Sequence, residues 1–379
     1  MKITVLGCGL VGGPLAVDLA AERSFAVTIV DIDAGALKRV QDRARVETIR
    51  ADVSDPARVR ELVGGCDLAV SAVPGKLGFS TLQAIIETGR DVVDIAFFAE
   101  DPFLLDEMAK AKAVRAIVDC GVMPGMGNIL VSRAAAQLEE TEEALIYVGG
   151  LPLVREWPYE YKAVFSPTDV IEEYTRPARF IEHGRMVIRP ALSDPEYLHF
   201  PGIGTLEAFN SDGLRTMLTT IPALNMKEKT LRYPGHAEKM AMLRETGFFG
   251  KEEIEIHGTR LSPLDFTCRI LFPKWKLQEG EADLTVMKIL VRGKSGGKKK
   301  VFHYDMLDRY DAENRIPSMA RTTGYTATAV VRLLAAGLYD HQGITAPEYI
   351  GRQPECVDFL LDQLARRGIR YHAKIEPEG

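Results

Sequence analysis

The sequence predicts a doubly wound parallel α/β sheet followed by a second, α+β domain built on a mainly antiparallel sheet. Three observations carry this. Over the first 120 residues, short β-branched runs alternate with helical patterns of about ten residues, as in successive βαβ units. A glycine-rich turn, Gly7-Cys8-Gly9-Leu10-Val11-Gly12, directly follows the first of those runs. Beyond Gly121 the rhythm changes, and strands succeed one another with few helical crossovers between them.

Taken in order, strands are expected at 2–6, 26–30, 46–51, 68–72, 91–95 and 115–118, with helices at 14–22, 34–41, 56–63, 81–88 and 102–112. Asp55-Pro56 and Asp101-Pro102 read as an N-cap followed by proline in the first helical position. Gly64-Gly65 and Gly89 are helix stops. One more helix is expected at 125–140, then strands at 144–148, 186–188, 229–232, 254–257, 266–270, 283–292 and 299–305. The last two flank Gly293-Lys294-Ser295-Gly296-Gly297, a hairpin turn with a solvated basic tip. Helical patterns return at 323–337 and 354–367 and are expected to pack back on the first domain. The expected domains are therefore 1–138 plus 320–379, a discontinuous dinucleotide-binding domain, and 139–319, a substrate-binding and dimerisation domain.

Composition narrows the function. With 379 residues, 46% hydrophobic and 26% charged, the chain is neither disordered nor fibrous. A net charge of -6 argues against nucleic acid and anionic membranes as partners. Five cysteines, with no C-x-x-C pair and no ligand spacing to histidine, argue against a disulfide scaffold or a metal site and for a reducing, cytoplasmic setting. No signal-peptide core or membrane-length apolar run is present in the sequence.

The glycine-rich turn sits between a strand and a helix, and Asp31 ends the next strand. Each part has a task in a Rossmann-type site. Gly7 permits the tight turn, Gly9 lets the backbone approach a pyrophosphate, and Gly12 allows close helix–strand packing. The N–H groups of Leu10 and Val11 meet phosphate oxygens at the helix start, and Asp31 accepts the ribose hydroxyls. A carboxylate there, with Asp33 following, repels a 2′-phosphate, so NAD is the expected cofactor. Asp52 and Val53, ending the third strand, read either as adenine contacts or as a helix-capping segment. Ala72-Val73-Pro74 ends the fourth strand, on the nicotinamide side.

Asp94 and Cys120 fall at or just past the carboxyl ends of the fifth and sixth strands, where open parallel sheets bind ligands. Asp94 lies in the apolar run Val92-Val93-Asp94-Ile95-Ala96, so it is either hydrogen-bonded structurally or handles protons with a raised pKa. Cys120 precedes a helix whose N-terminus would lower a thiol pKa; the alternative is a buried, inert cysteine.

Several runs together resemble the saccharopine dehydrogenase/reductase family. They are the run from Gly7 to Asn128, with Asp94 and Cys120-Gly121-Val122-Met123-Pro124-Gly125-Met126-Gly127-Asn128, then Glu207-Ala208-Phe209-Asn210-Ser211-Asp212-Gly213-Leu214-Arg215-Thr216, Lys229-Thr230-Leu231-Arg232-Tyr233-Pro234-Gly235-His236 and Arg321-Thr322-Thr323-Gly324-Tyr325-Thr326-Ala327. The resemblance implies oxidation or reduction at a carbon–nitrogen bond with a nicotinamide cofactor. It also implies Asp94 and Cys120 at the active site and Arg232-Tyr233 as a substrate holder. Saccharopine-forming members carry Asn-Arg-Asp where this chain has Asn210-Ser211-Asp212, and a serine cannot clamp a glutamate-arm carboxylate as a guanidinium does. The form here looks most like the lysine 6-dehydrogenase branch, which oxidises the terminal carbon of lysine and releases ammonia.

On this reading Arg232 fixes the α-carboxylate, and Asp212 or Glu207 receives the α-ammonium, so that the reacting carbon is held in place. Asp94, Cys120 or His236 takes the proton, although His236 reads equally as a turn residue bonding backbone, and Asn210 and Asp212 as caps of a helix at 213–218. The expected ligand is a small amino acid or amine, and the expected assembly a homodimer. Two alternatives remain: a saccharopine or carboxyspermidine-type reductive coupler, and a non-catalytic NAD-binding protein.

Overall fold

The computed structural model describes residues 1–164 and 167–377. The chain separates into two compact units, Met1–Gln137 with Met319–Tyr371, and Leu138–Ser318 with His372–Gly379. Strands β1 (Lys2–Leu6), β2 (Ala26–Asp31), β3 (Glu47–Arg50), β4 (Leu68–Ser71), β5 (Asp91–Asp94) and β6 (Arg115–Ile117) open the first unit. Between and after them run helices α1 (Gly12–Ala20), α2 (Ala34–Gln41), α3 (Pro56–Val63), α4 (Gly75–Glu87), α5 (Asp106–Ala111) and α6 (Met126–Ala135). Asp33 and Asp55 cap α2 and α3 by accepting from Gly35 and Ala57 N–H.

The second unit follows with β7 (Glu140–Pro152), α7 (Pro167–Thr175), β8 (Ala178–Glu182), β9 (Arg185–Arg189), β10 (Glu196–Phe200) and β11 (Gly204–Asn210). It continues through α8 (Met217–Thr220), β12 (Asn225–Arg232), α9 (His236–Glu245), β13 (Ile254–Ile256), β14 (Thr259–Leu261), α10 (Pro263–Trp275), β15 (Asp283–Ser295) and β16 (Lys298–Arg309). The chain then returns to the first unit with α11 (Ser318–Ala335), β17 (Gly343–Thr345), α12 (Pro347–Gly351) and α13 (Pro354–Arg366), and ends on β18 (His372–Pro377).

The first unit is a seven-stranded, wholly parallel Rossmann-type sheet in the order β17-β6-β5-β4-β1-β2-β3. Both of its faces are dry. Leu6, Val30, Ala69, Val92 and Ala116 join residues of α3, α4 and α5 in one apolar core, while Val5, Ile29, Val70, Val93 and Ile117 of opposite parity are equally buried. The strand order reverses between β1 and β4, which places the switch-point crevice beside Gly7 and Ala72.

The second unit holds a mixed, largely antiparallel sheet in the order β10-β11-β12-β7-β15-β16-β18, with β8 and β9 branching from β12. Only the β12–β7 pair is parallel among the described pairings of this sheet. The β15–β16 hairpin turns on Gly296-Gly297 alone, both at positive φ, so its strands run further into the basic tip than expected.

Three expectations are corrected. Residues 266–270 are helical, inside α10: Ser262 caps it, Pro263 begins it, and Thr267, Leu271 and Trp275 recur every fourth residue on its buried face. The helix expected at 125–140 stops at Ala135, and Glu140 already begins β7. The tail from His372 onward does not belong with the first unit, because His372 to Pro377 pair residue for residue with β16 from Asp305 to Lys300.

Candidate active site

In the first unit the glycine turn has the shape a diphosphate needs. A Cβ on Gly7, whose φ is +101°, would lie 2.4 Å from the Ala72 carbonyl oxygen, and one on Gly12 would lie 2.2 Å from the Gly7 carbonyl oxygen. Those two positions are closed by backbone. Gly9 is the opposite: a Cβ there meets nothing within 4 Å, and Gly9 and Leu10 are exposed. No side chain caps α1 at Val11 or α4 at Pro74, and neither first turn carries an acidic residue. The positive ends of both helices therefore stand unneutralised by their own sequence at the carboxyl ends of β1 and β4.

Asp31 ends β2 with its Oδ2 accepting from the Cys8 N–H at 2.6 Å and its Oδ1 from the Asp33 N–H at 2.8 Å. These bonds fix the carboxylate beside the glycine turn, and each oxygen keeps a lone pair for a hydroxyl. Asp33 serves as the α2 cap, with Arg39 and Arg50 close enough to act on its charge. Asp52 lies exposed past β3 and accepts from Ser54 N–H at 2.9 Å, while Val53 packs against the core; the cap of the following helix is Asp55. Val73 is buried and Pro74 exposed at the start of α4.

Asp94 and Cys120 meet at neighbouring strand ends. Asp94 is fully buried, its Oδ1 accepting from Ala96 N–H at 2.8 Å, and its carbonyl accepts from Cys120 N–H at 2.9 Å. The Cys120 thiol contradicts the expected lowering: burial, then the charges of Asp119 and Asp94, push it well above the usual thiol value. It is a neutral, enclosed thiol, because α6 begins only at Met126, beyond the Gly121–Gly125 turn.

The second unit gathers a different set. Arg232, 2% exposed, donates from Nη2 to Glu173 Oε2 at 2.5 Å, from Nε to Tyr174 Oη at 3.3 Å and from Nη1 to the Leu231 carbonyl at 2.9 Å. Its guanidinium lies 4.7 Å from the Tyr161 ring centroid. Tyr174 Oη and His236 Nε2 are 2.9 Å apart, and His236 Nδ1 is 2.9 Å from the Tyr159 carbonyl. Trp275 meets the Tyr159, Tyr161 and Tyr174 rings edge-on. Burial and the nearby Arg232 charge drive the His236 pKa down to about 3, so its ring is neutral.

Several expected roles are thereby corrected. Asp212 is taken by Arg179 through a two-pronged pair, 2.8 Å on each prong, and Glu207 Oε2 accepts from Ala237 N–H at 3.0 Å, so neither waits for an ammonium. Arg232 is not an open carboxylate clamp, since Glu173 already occupies it. The Tyr233 hydroxyl donates to the Pro152 carbonyl at 2.9 Å, with Arg155 over its ring. Asn210 Nδ2 donates to Ser193 and Asp194, and α8 starts only at Met217 with Thr216 in its N-cap position and no side-chain cap, so neither Asn210 nor Asp212 caps it. His236 cannot serve as a base at its hydrogen-bonded Nε2 without breaking the Tyr174 contact.

Sequence reading missed Glu173, Tyr174 and Glu228. The first two lie on α7, signalled by Pro167 followed by Val170, Ile171 and Tyr174 at helical spacing. Glu228 is one of the alternate residues Glu228, Thr230 and Arg232 along β12, a polar series on buried positions. Ser211 Oγ donates to Glu228 Oε2 at 2.7 Å and lies 2.7 Å from Thr230 Oγ1, and Gly213 N–H reaches the same carboxyl oxygen at 3.1 Å. Burial raises the Glu228 pKa to about 8. Among the described residues no group of His, Cys, Asp and Glu could hold a metal ion, and no helix is long and apolar enough to cross a membrane.

The parallel sheet, its switch point and the open glycine turn define a nicotinamide-nucleotide-binding protein of Rossmann type. Two family models cover nearly all of it: the saccharopine dehydrogenase NADP binding domain at residues 3–117 and the saccharopine dehydrogenase C-terminal domain at 121–369. The chain belongs to the saccharopine dehydrogenase family. It is 24% identical over 280 residues to the mitochondrial alpha-aminoadipic semialdehyde synthase of Mus musculus, covering 69% of this chain but 30% of that protein. The chain thus spans less than a third of that relative's length. It is 21% identical to the carboxyaminopropylagmatine dehydrogenase of Synechocystis sp., covering 98% of this chain and 97% of that one. The apo saccharopine dehydrogenase (L-Glu forming) of Saccharomyces cerevisiae shares its fold, with a TM-score of 0.80, 18% identity and full coverage of both chains.

Proposed function

We propose that this protein is an oxidoreductase acting on a CH–NH2 or CH–NH group, with NAD as cofactor and the terminal amine of lysine as substrate. The observation that supports it best is the contrast between closed Gly7 and Gly12 and open Gly9 above an uncapped helix, with Asp31 fixed alongside. Leu10 and Val11 N–H would hold the diphosphate, Asp31 the ribose hydroxyls, Asp52 and Val53 the adenine side, and Ala72 to Pro74 the nicotinamide side. A nicotinamide nucleotide held there supplies hydride transfer at the carbon–nitrogen bond. Asp31 favours NAD, since a fixed carboxylate opposes a 2′-phosphate, even though the matching family model is described as NADP binding. Arg39 and Arg50 nearby are the groups that would serve a phosphate instead.

Ser211 supports the smaller substrate. It is bonded to the buried Glu228 and to Thr230, so no guanidinium stands there for a glutamate arm. With Cys120 held as a thiol and His236 engaged with Tyr174, Asp94 is the remaining proposed proton acceptor for the amine. The test is nucleotide reduction at mildly alkaline pH with lysine, saccharopine and diamines, using NAD and NADP in parallel. Reduction of NAD with lysine alone is the expected result.

A second reading, reductive coupling of an amine to a carbonyl acid, is favoured by the full-length similarity to a carboxyaminopropylagmatine dehydrogenase. Turnover with saccharopine or a carboxyalkyl amine and none with lysine would establish it. Binding of the nucleotide without reduction by any amine would leave the non-catalytic alternative.

A further inference from the structure

We propose that Glu173 is the group that receives the positive end of the substrate, and that Arg232 behind it aims this carboxylate rather than holding a substrate carboxylate. The inference deepens the amine reading above and rests on it. Three observations within the second unit converge.

First, Arg232 is committed. Nη2, Nε and Nη1 each donate to an acceptor, in turn Glu173, Tyr174 and the Leu231 carbonyl, and the guanidinium is stacked on Tyr161. A substrate carboxylate would have to displace Glu173 to reach it.

Second, Glu173 is only half used. Oε2 takes the arginine, whereas Oε1 has no hydrogen-bond partner among the described residues. Its side chain keeps 20% exposure against 3% for that of Arg232, so Glu173 forms the outer layer and Arg232 the inner. One oxygen gripped from behind and the other turned outward is a preoriented acceptor for an ammonium or guanidinium.

Third, three carboxyls of the second unit that could compete for a cation are spent. Asp212 is paired with Arg179, Glu207 holds the Ala237 N–H, and Glu228 is enclosed by Ser211, Thr230 and the Gly213 N–H. His236, hydrogen-bonded at both ring nitrogens, contributes no opposing positive charge. Glu173 therefore selects a cationic terminus and disfavours a doubly anionic ligand.

The test is calorimetric titration of 1,5-diaminopentane and, separately, glutarate into the full chain, in wild type, Glu173→Gln and Glu173→Asp. Glu173→Asp preserves the charge should Glu173→Gln fold poorly with Arg232 left unneutralised. Wild type is expected to bind the diamine and not glutarate. Glu173→Gln is expected to bind the diamine about tenfold more weakly or worse, with glutarate binding gained, and Glu173→Asp to fall between. Equal diamine affinity in wild type and both variants overturns the proposal, as does wild type binding glutarate and no diamine. The catalytic reading fails separately: if no amine reduces the nucleotide but diamine binding still depends on Glu173, this assignment stands without it. If lysine is oxidised with an unchanged KM in Glu173→Gln and Glu173→Asp, the assignment falls while the catalytic reading stands.

Discussion

The Tyr174 hydroxyl donates its proton to Nε2 of His236 across 2.9 Å, and the direction of that bond is fixed by their neighbours. The Tyr159 carbonyl can only accept, so His236 Nδ1 carries the ring proton and Nε2 must be the acceptor. Tyr174 Oη in turn accepts from Arg232 Nε. A chain of one-way hydrogen bonds thus runs from the arginine to the Tyr159 backbone and requires a neutral imidazole.

That requirement makes stability depend on acid. The folded His236 pKa is about 3 against an ordinary value of 6.5, so below pH 6.5 the unfolded chain takes up a proton that the folded chain refuses. Stability is expected to fall as pH drops from 6.5 towards 3, with a slope from this group of at most about 1.4 kcal/mol per pH unit. Thermal unfolding of wild type and His236→Gln across pH 4–7 checks it; the difference between their stabilities should shrink as the pH falls.

Glu228 acts in the opposite sense. Its folded pKa of about 8 lies above the usual 4.5, so between those values the folded chain keeps a proton that the unfolded chain has released. The stability it contributes is complete below pH 4.5 and is lost as pH rises through 8. Glu228→Gln retains an acceptor for Ser211 and Gly213 and is expected to gain on wild type steadily from pH 5 to pH 8, by about 3–4 kcal/mol. Urea denaturation at several pH values measures this directly.

Two neighbouring glycines should separate folding from binding. Gly12→Ala drives a methyl group into the Gly7 carbonyl and is expected to cost about 2–3 kcal/mol of stability. Gly9→Ala adds its methyl to open space, leaving the thermal midpoint unchanged while weakening nucleotide binding by about tenfold or more. Calorimetric unfolding alongside nucleotide titration distinguishes the two effects.

Asp31→Ser removes the proposed ribose acceptor and its charge. The ratio of NADP to NAD affinity is expected to rise by about tenfold or more, since Arg39 and Arg50 then face a phosphate with less opposition. Parallel titrations with both nucleotides measure the ratio, and an unchanged ratio would remove Asp31 from the specificity argument.

Cys120 should be silent towards thiol reagents in the native state. Its thiol is 2% exposed and held protonated by burial. A disulfide reagent at pH 8 is expected to leave Cys120 unmodified until denaturant is added, as mass spectrometry of the labelled peptides would show.

The parallel sheet was legible because its signals are local. Proline after an acidic cap starts α3, and short β-branched apolar runs mark β1, β2, β4 and β5. The glycine turn was legible for the same reason, since its spacing and its geometry are one property of six residues. The second unit resisted reading because partners there lie far apart in sequence. Glu173 and Arg232 are on α7 and β12, Arg179 and Asp212 on β8 and the loop after β11, and nothing local indicates that such charges are already matched. The misassigned residues 266–270 show the related difficulty. Phe266 and Ile270 favour a strand by type, yet both are exposed, and the buried face is set by Thr267, Leu271 and Trp275.

The outermost strand of the parallel sheet, β17, reaches β6 only after all of the second unit except β18 has been threaded between them in the chain. On the ribosome, the nascent first unit must therefore persist with β6 offering an unsatisfied edge while some two hundred further residues emerge. Vectorial synthesis leaves that edge open to chaperones or to wayward pairing until β17 arrives to close it.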